Sequence, residues 1–309
     1  MYVLSQSPKG EEYLDYLPCG VLNAFLSLPY KTKQAVCEIR LRRGGAAAVT
    51  WDKVSYLKPD GTLSDSPLGA VTVLAYEFKT MIDKMCQSSV YAAQNDLCRG
   101  FITLPGGHRV GVCGKTALKG GEIVSLSDIS AVNIRISREI KGAADKITDY
   151  ILDGKRLYNT LIISPPACGK TTLLRDAARL LGGGLYNFKV GIVDERGEIA
   201  AATCGEPQND IGALSVVYSN CPKNVGMEML LRSMGPDIII TDEIGTSEDE
   251  EAAKHIINAG VKLLCSAHGY DLNDLKRRDI LSSLLSAHVF ERTIVLSRRN
   301  GAGTIEKIY

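Results

Sequence analysis

The chain has 309 residues, which is enough to bury a sizeable core and to form two domains. Hydrophobic residues make up 45% of it and charged residues 23%, as in ordinary globular proteins, and this composition excludes a disordered or fibrous chain. The formal net charge is only +1, so no strong overall field would hold the chain on nucleic acid or on an anionic membrane surface.

Cysteine usage indicates a reducing compartment. The nine cysteines are odd in number, none forms a C-x-x-C pair, and several lie in apolar runs, as Cys265 does. This pattern is typical of small buried thiols and not of a disulfide framework. Since the chain has four histidines and none lies at ligand spacing from a cysteine, we expect no zinc site.

The sequence also predicts a location. Its first residues lack the basic head and apolar core of a signal peptide, and no apolar run reaches the ~18 residues that span a bilayer. We therefore expect a cytoplasmic protein that is brought to any membrane by its partners.

The pattern of residues 1–137 predicts a small α+β domain. Helical spacing of apolar residues over 20–39 and 70–89 alternates with strand-like segments, in which apolar residues such as Ile39 and Leu41 alternate with polar ones. Further along, glycine turns separate short apolar segments. We expect these to form separate strands over 108–116, 122–126 and 130–138.

Residues 138–309 have the pattern of a parallel sheet covered by helices on both faces. Four short, nearly continuous apolar runs alternate with helical stretches. The runs are TLIIS (160–164), VGIVDE (190–195), DIIITDE (237–243) and VKLLCSAH (261–268). Ligands of such sheets bind beyond the carboxyl ends of the strands. The chain closes with a predicted antiparallel hairpin turned at Asn300 and Gly301.

The segment after the first of these runs predicts a phosphate-binding loop. It matches the pattern G-x-x-x-x-G-K-[S/T] at Gly169, Lys170 and Thr171, but Ser164 replaces the opening glycine. Because a strand precedes the loop and a helix follows it, backbone N–H groups and the positive helix end would converge on an anion. Lys170 would reach the β- and γ-phosphates, and Thr171 would bind Mg²⁺. The residues expected to bind nucleotide are Ser164, Pro165, Pro166, Ala167, Cys168, Gly169, Lys170, Thr171 and Thr172.

A second GKT occurs at 114–116, in a different context. The segment after it is too short for a helix before Gly120 and Gly121, and Arg109 stands where the opening glycine would be. We therefore expect this copy to be part of a hairpin, with Lys115 exposed.

Carboxylates at two other strand ends are the groups that hydrolysis needs. Asp242 would hold Mg²⁺, and Glu243 would polarise the attacking water. Asp194 and Glu195 form a second acidic pair, although an acidic turn facing solvent is an alternative for either pair. His268, at the end of the fourth run, would hydrogen-bond the γ-phosphate or serve as a satisfied core histidine.

Four motifs in this order resemble the type II/IV secretion ATPase superfamily. SPPACGKTT, VDERGE, LLRSMGPDIIITDEIG and CSAHG are similar to its Walker A motif, Asp box, Walker B motif and His box. The segments EIRLRRGGAAAV, GFITLPGGHRVGVCGK and DISAVNIRISREIKG extend the match, and they resemble the stage III sporulation proteins of endospore-forming bacteria. The resemblance covers the chain from about residue 37 to its end.

The resemblance implies a RecA-like P-loop ATPase domain behind a smaller N-terminal α+β domain, with ATP and Mg²⁺ bound between them. By motif position it implies catalytic roles for Glu243, for His268 and for Asp194 or Glu195. The last choice stays open because the family has Glu then Asp where this chain has the reverse order. It also implies a ring, typically a hexamer, and arginines that reach the nucleotide from the N-terminal domain or a neighbouring subunit. The candidates, each alternatively on a solvated surface, are Arg40, Arg42, Arg109, Arg135, Arg138 and Arg232.

For the sporulation proteins, the implied role is to energise a secretion-like channel between mother cell and forespore. Membrane proteins of that complex would hold the ATPase at the cytoplasmic face of a mother-cell membrane. An alternative is a RecA-like translocase on nucleic acid, but the near-neutral charge offers no basic groove for it. A nucleotide-binding scaffold that hydrolyses little is a third possibility.

Overall fold

The computed structural model describes residues 10–86, 94–184, 186–203, 205–277, 279–286 and 289–309. The chain divides into two compact units, one up to Arg138 and the other from Glu139 to the last residue. Among the described residues, no helix is long and apolar enough to cross a membrane.

The first unit contains a seven-stranded antiparallel sheet and short helices. Its helices are α1 (Cys19–Leu26), α2 (Tyr30–Ala35), α3 (Ala75–Met85) and α4 (Gln94–Cys98), with 3₁₀ turns at Glu12–Tyr16 and Pro105–Gly107. Its strands are β1 (Glu38–Arg42), β2 (Ala48–Thr50), β3 (Val54–Leu57), β4 (Leu63–Ser64), β5 (Phe101–Leu104), β6 (His108–Lys119) and β7 (Glu122–Arg135). The order in the sheet is β4-β3-β2-β1-β7-β6-β5.

Apolar and polar residues alternate along β1, and this alternation determines which face of the sheet packs against the core. Ile39 and Leu41 are buried beside Phe25 and Phe78, whereas Arg40 and Arg42 are exposed. The predicted half-buried strand is confirmed, because side chains along a strand point alternately to its two faces.

One predicted break in this sheet is wrong. The segments expected as separate strands over 122–126 and 130–138 form the single strand β7. Asp128 adopts a positive φ of 45°, and the register with β6 shifts at Cys113, so an irregularity lets the strand continue. The GKT at 114–116 lies in β6 and pairs with β7, which confirms the predicted hairpin.

The second unit contains a seven-stranded sheet with helices on both faces. Its helices are α5 (Asp145–Ile151), α6 (Lys170–Leu181), α7 (Lys223–Ser233), α8 (Ser247–Asn258), α9 (Leu272–Lys276) and α10 (Asp279–Ser286). Its strands are β8 (Leu152–Asp153), β9 (Arg156–Leu157), β10 (Thr160–Ser164), β11 (Val190–Asp194), β12 (Ser215–Ser219), β13 (Ile238–Thr241), β14 (Lys262–His268), β15 (Arg292–Ser297) and β16 (Thr304–Ile308).

The order in this sheet is β12-β11-β13-β14-β10-β15-β16, while β8 and β9 form a separate small ladder. All neighbours are parallel except the closing pair β15–β16. The four predicted runs are therefore the central strands β10, β11, β13 and β14, and the closing hairpin is also confirmed. Strand β12 was not predicted, because its residues are only half-buried at the sheet edge.

Apolar side chains from helices cover both faces of the sheet. Leu174 and Ala177 of α6 pack on one face, while Met227 of α7 and Ala253 and Ile256 of α8 pack on the other. The ladder pairs Ser164 with His268, so the carboxyl ends of β10 and β14 are adjacent. Parallel strands place all their carboxyl ends at one edge, and that edge carries the candidate site.

Candidate phosphate-binding site

The loop between β10 and α6 has the backbone of an anion cradle. Gly169 caps α6 with a left-handed φ of 86°, and Ala167 also has a positive φ, of 58°. Positive φ favours glycine, so Gly169 suits this position well. The first turn of the 12-residue helix α6 follows directly, and its free N–H groups and positive dipole end attract anions.

A cavity of about 400 Å³ lies at this helix end. Its walls come from the loop, the start of α6, two acidic residues and the turn of the closing hairpin. The lining residues are Pro166, Ala167, Gly169, Lys170, Thr171, Thr172, Glu198, Glu243 and Ala302. Loop residues predicted from the sequence thus share one cavity with Glu243.

The ammonium of Lys170 is held inside the loop. The residue is only 6% exposed, and its Nζ donates to the backbone oxygens of Ser164 at 3.1 Å and Pro165 at 3.3 Å. The same Nζ lies 3.6 Å from Oε1 of Glu243. A buried cation needs such partners, and phosphate oxygens are chemically equivalent acceptors for it.

The closing hairpin contributes one wall of the cavity. The backbone N–H of Gly303 donates to the oxygen of Cys168 at 2.8 Å, and Lys146 donates to the oxygen of Gly303. A Cβ atom added to Gly169 would lie 3.4 Å from the nitrogen of Gly303. The hairpin is thus in van der Waals reach of the loop, and the positive φ is the reason why glycine fits at 169.

Ser164 does not face the cavity. It is fully buried at the end of β10, its Oγ donates to the oxygen of Pro165 at 2.9 Å, and its own backbone oxygen accepts from Gly269 at 3.2 Å. Its departure from the usual loop pattern therefore concerns the exit from the strand and not the lining of the cavity.

Glu243 is fixed at both its backbone and its carboxylate. Its φ is 30°, its N–H donates to Oγ of Ser266 at 3.0 Å, and the N–H of Ile244 donates to the oxygen of Ser266 at 2.9 Å. Besides the contact of Oε1 with Lys170, Oε2 lies 3.0 Å from Nη1 of Arg196. Glu243 therefore stands between two cations.

Asp242 directly follows β13 and is almost fully buried. Burial raises its pKa from 3.8 to about 6, with Asp194 and Glu198 adding to the rise and Lys223 and Arg196 opposing it. Its Oδ1 is buried and has no hydrogen-bond partner among the described residues. A buried carboxylate oxygen without a partner is costly unless something neutralises it.

Asp242 and Thr171 carry oxygen atoms of the kind that Mg²⁺ binds, and their role as its ligands stays a prediction. Mg²⁺ in phosphoryl-transfer sites is held through one or two carboxylates and the substrate's phosphates rather than by an all-protein cage. The vacant acceptor of Asp242 and the position of Thr171 on the cavity wall meet that requirement. Mg²⁺ would stabilise the ionised form of Asp242.

The structure separates the roles of Asp194 and Glu195. Asp194 is fully buried at the end of β11, and its carboxylate accepts from the backbone N–H groups of 198–201 at 2.8–3.3 Å. It thus holds the loop that follows it. Glu195 is partly exposed and pairs with Lys223. Direct catalysis by Asp194 stays a prediction that this geometry does not favour.

His268 lines a second cavity of about 610 Å³ next to the first. Glu243 lines both cavities, and Arg196 and Lys223 also face the second one. His268 is exposed, so the alternative of a buried core histidine is wrong.

The three predicted nucleotide-binding arginines are divided between the two units. Arg232, on α7, pairs with Glu228 and lines a separate surface depression between α7 and α8. Arg135 and Arg138 belong to the first unit, where Arg135 pairs with Glu38 and Arg138 donates to the oxygen of Val36. Nucleotide binding by these three residues stays a prediction.

Three residues of the site were not predicted. Glu198 and Ala302 line the phosphate-loop cavity, and Arg196 contacts Glu243. Glu198 and Arg196 stand in the VDERGE motif itself, so a signal for them was present. Ala302 offered no signal beyond a glycine-rich turn.

The fold of the chain is similar to that of two solved ATPase and motor structures. The chain is similar to the Legionella pneumophila ATPase DotB, with a TM-score of 0.55 and 16% identity over 84% of this chain and 72% of that one. It is also similar to the pilus retraction motor PilT with bound ADP, with a TM-score of 0.51 and 14% identity over 86% of this chain and 75% of that one. At such identities the likeness shows the fold alone.

The family follows from sequence. The chain belongs to the family described as sporulation stage III, protein AA, whose model matches residues 11–309. It is 38% identical over 302 residues to stage III sporulation protein AA of Bacillus subtilis (strain 168), covering 96% of this chain and 94% of that protein. The resemblance seen in the motifs is thereby confirmed.

Proposed function

We propose that the protein hydrolyses ATP with Mg²⁺ in the cavity at the start of α6. The observation that carries this proposal is the meeting of Lys170, Thr171, Glu198 and Glu243 around one cavity at a helix N-terminus. This set combines phosphate-binding donors with carboxylates, which is the combination that phosphoryl transfer to water requires.

Each residue has a role in this proposal. Lys170 and the N–H groups of the loop bind the β- and γ-phosphates, and the close approach of the phosphates requires Gly169. Thr171 and Asp242 hold Mg²⁺. The bound ion supplies charge neutralisation on the phosphate oxygens. Glu243, at the far wall of the cavity, orients the attacking water and accepts its proton.

Further groups support the same reaction. Glu198 faces the cavity, and Glu195 is the exposed member of the acidic pair, so either can hold water near the metal. His268 at the neighbouring strand end would hydrogen-bond the γ-phosphate and respond to its loss. Arg135, Arg138 and Arg232 would reach the nucleotide from the N-terminal unit or from a neighbouring copy in a ring.

The cellular role proposed is that of a motor in sporulation. Family membership and a fold similar to those of the ATPase DotB and the pilus retraction motor PilT support it. The chain would form a ring, typically a hexamer, at the cytoplasmic face of a mother-cell membrane. Membrane proteins of a secretion-like complex would hold it there, and hydrolysis would energise a channel to the forespore.

Phosphate release from Mg·ATP by wild type and by Glu243→Gln tests the enzymatic proposal. Turnover in wild type and a loss of about 10²-fold or more in the variant are expected, because a positioned base contributes 10²–10⁴-fold. Equal rates would contradict the role of Glu243. Strong stimulation by single-stranded DNA that fades with salt would favour a nucleic-acid translocase instead.

A further inference from the structure

Arg196 makes a contact with Glu243 that none of the roles above explains. Its Nη1 lies 3.0 Å from Oε2 of Glu243, while Oε1 of that carboxylate faces Nζ of Lys170 at 3.6 Å. Each carboxylate oxygen of Glu243 therefore contacts a different cation, and the two cations come from different parts of the chain.

A bound nucleotide would affect the contacts of Lys170 and of Arg196 with Glu243 differently. Lys170 belongs to the phosphate loop, so its ammonium would turn towards phosphate oxygens when they arrive. Arg196 lines the second cavity and not the phosphate-loop cavity, so it stays available to Glu243. After nucleotide binding, Arg196 would be the cation that still holds the carboxylate.

The loop that carries Arg196 is anchored from two directions. Asp194 accepts hydrogen bonds from the backbone of 198–201 on one side. On the other, the guanidinium of Arg175 donates to the oxygens of Ile199 at 2.9 Å and Glu198 at 2.6 Å. Burial lowers the pKa of Arg175, and the nearby carboxylates of Glu139, Asp194 and Glu198 oppose that shift. This anchoring fixes where the Arg196 backbone sits relative to Glu243.

The ion pairs with Lys170 and Arg196 hold the carboxylate of Glu243, which could rotate without them. Its backbone is tied to Ser266, but its side chain is 33% exposed, and a glutamate has three rotatable bonds. A general base must stay within hydrogen-bond reach of the water it activates, and a misplacement of about 1 Å can cost roughly 10²-fold in rate.

We infer that Arg196 is a positioning residue for ATP hydrolysis, which orients the carboxylate of Glu243 towards the attacking water once Lys170 has engaged the phosphates. The inference rests on the ATPase function proposed above. If the Arg196–Glu243 ion pair were only structural, its loss would change the turnover rate and the stability little, because a half-exposed ion pair contributes little to folding.

The test compares Arg196→Gln, Arg196→Lys and a matched control, Arg156→Gln. Arg156 is also an exposed arginine paired with a glutamate, since its Nη2 lies 3.1 Å from Oε1 of Glu291. Arg156 belongs to β9, and Glu291 directly precedes β15, at the sheet edge opposite to the one that carries the candidate site. Steady-state kcat and KM for Mg·ATP, ADP affinity and the thermal unfolding midpoint are measured for each.

We expect kcat of Arg196→Gln to fall by about 10²-fold, with KM and ADP affinity within about threefold of wild type. Arg196→Lys keeps a cation at this position and should recover at least about tenfold of that loss. Arg156→Gln should match wild type, and all unfolding midpoints should agree within a few degrees.

Several results would overturn the inference. These are an unchanged kcat in Arg196→Gln, a loss of ADP affinity that accounts for the lower rate, a lowered unfolding midpoint that accounts for it, or identical rates for the glutamine and lysine variants. Wild type that binds ADP but releases no phosphate would refute the ATPase proposal itself, so the two failures are distinguishable.

Discussion

The Nζ atom of Lys170 lies 3.6 Å from Oε1 of Glu243, across the cavity at the start of α6. The cation expected to bind phosphate and the carboxylate expected to activate water are thus already neighbours. They come from positions 73 residues apart in the sequence, on β10–α6 and after β13. An incoming nucleotide would compete with Glu243 for this ammonium and would meet the negative charge of the carboxylate.

Glu243→Gln should therefore bind ADP about three- to tenfold more tightly than wild type. Removing a negative charge near the phosphates relieves repulsion, and ~1 kcal/mol corresponds to about fivefold in affinity. Titration with a fluorescent ADP analogue measures the effect. Glu251→Gln, an exposed change on α8, is the control and should leave affinity as it is. Weaker binding by Glu243→Gln would contradict this electrostatic argument.

Asp242 should make the stability of the ligand-free protein depend on pH. Its folded-state pKa of about 6 lies above its ordinary value of 3.8, so the folded protein holds this proton more tightly than the unfolded chain. The free energy of unfolding should thus fall as the pH rises from about 4 to 6. Asp242→Asn should remove this fall and gain on the order of 3 kcal/mol at pH 7. Urea unfolding at several pH values measures it.

Magnesium binding should also depend on the titration of Asp242, but it should strengthen as the pH rises. Mg²⁺ requires the ionised carboxylate, so the enhancement of ADP affinity by Mg²⁺ should be full at pH 7 and decline as the pH falls through about 6. In Asp242→Asn, Mg²⁺ should enhance ADP affinity little at any pH. A wild-type enhancement that is constant from pH 5 to 8 would show that Asp242 does not hold the ion.

Asp194→Asn should destabilise the second unit by about 2 kcal/mol. The carboxylate accepts from four successive backbone N–H groups, and an asparagine would present an amide N–H₂ to some of these donors. Urea unfolding compares it with Asp153→Asn, an exposed aspartate of β8 in the same unit. Equal stability of the two variants would mean that the loop is held by other contacts.

Two substitutions distinguish the unusual serine of the loop from its glycine. Ser164→Gly should leave ADP affinity within about twofold, because Ser164 bonds to Pro165 and does not line the cavity. Gly169→Ala should weaken ADP binding by at least about tenfold, since φ is 86° there and a side chain would strain the phosphate loop itself. Isothermal titration with ADP checks both.

Gly154→Ala is the control for backbone strain. Gly154 has a φ of 60° and no atom within 4 Å of an added Cβ, so its substitution costs strain without touching the site. It should lower stability by ~1 kcal/mol and leave ADP affinity unchanged. If Gly154→Ala and Gly169→Ala had the same effect on ADP affinity, the place of Gly169 in the phosphate loop would be irrelevant to binding.

The sequence predicted the features that depend on local pattern. The run TLIIS is β10 from Thr160 to Ser164, because five consecutive buried positions need five apolar or small residues. The loop after it was found from residue identity and from the strand–helix context. The separate strands expected over 122–126 and 130–138 are instead parts of β7, because an irregularity at Asp128 lets the strand continue as far as Arg135.

What the sequence missed depends on contacts between distant positions. Ala302 reaches the phosphate loop only because β15 pairs with β10, and the motif does not encode that pairing. Asp194 and Glu195 are both acidic and cannot be told apart in the sequence. In the structure, Asp194 accepts hydrogen bonds from the backbone of its own loop, whereas Glu195 pairs with Lys223. Alternation along the chain cannot give this difference, because both residues lie at the end of a strand.

The central claim is tested most directly by phosphate release from Mg·ATP in wild type and in Lys170→Ala. The account predicts repeated turnover by wild type and a loss of at least about 10²-fold in the variant, because the ammonium stabilises charge on the transferred phosphoryl group. Folded Lys170→Ala that releases phosphate as fast as wild type would contradict it.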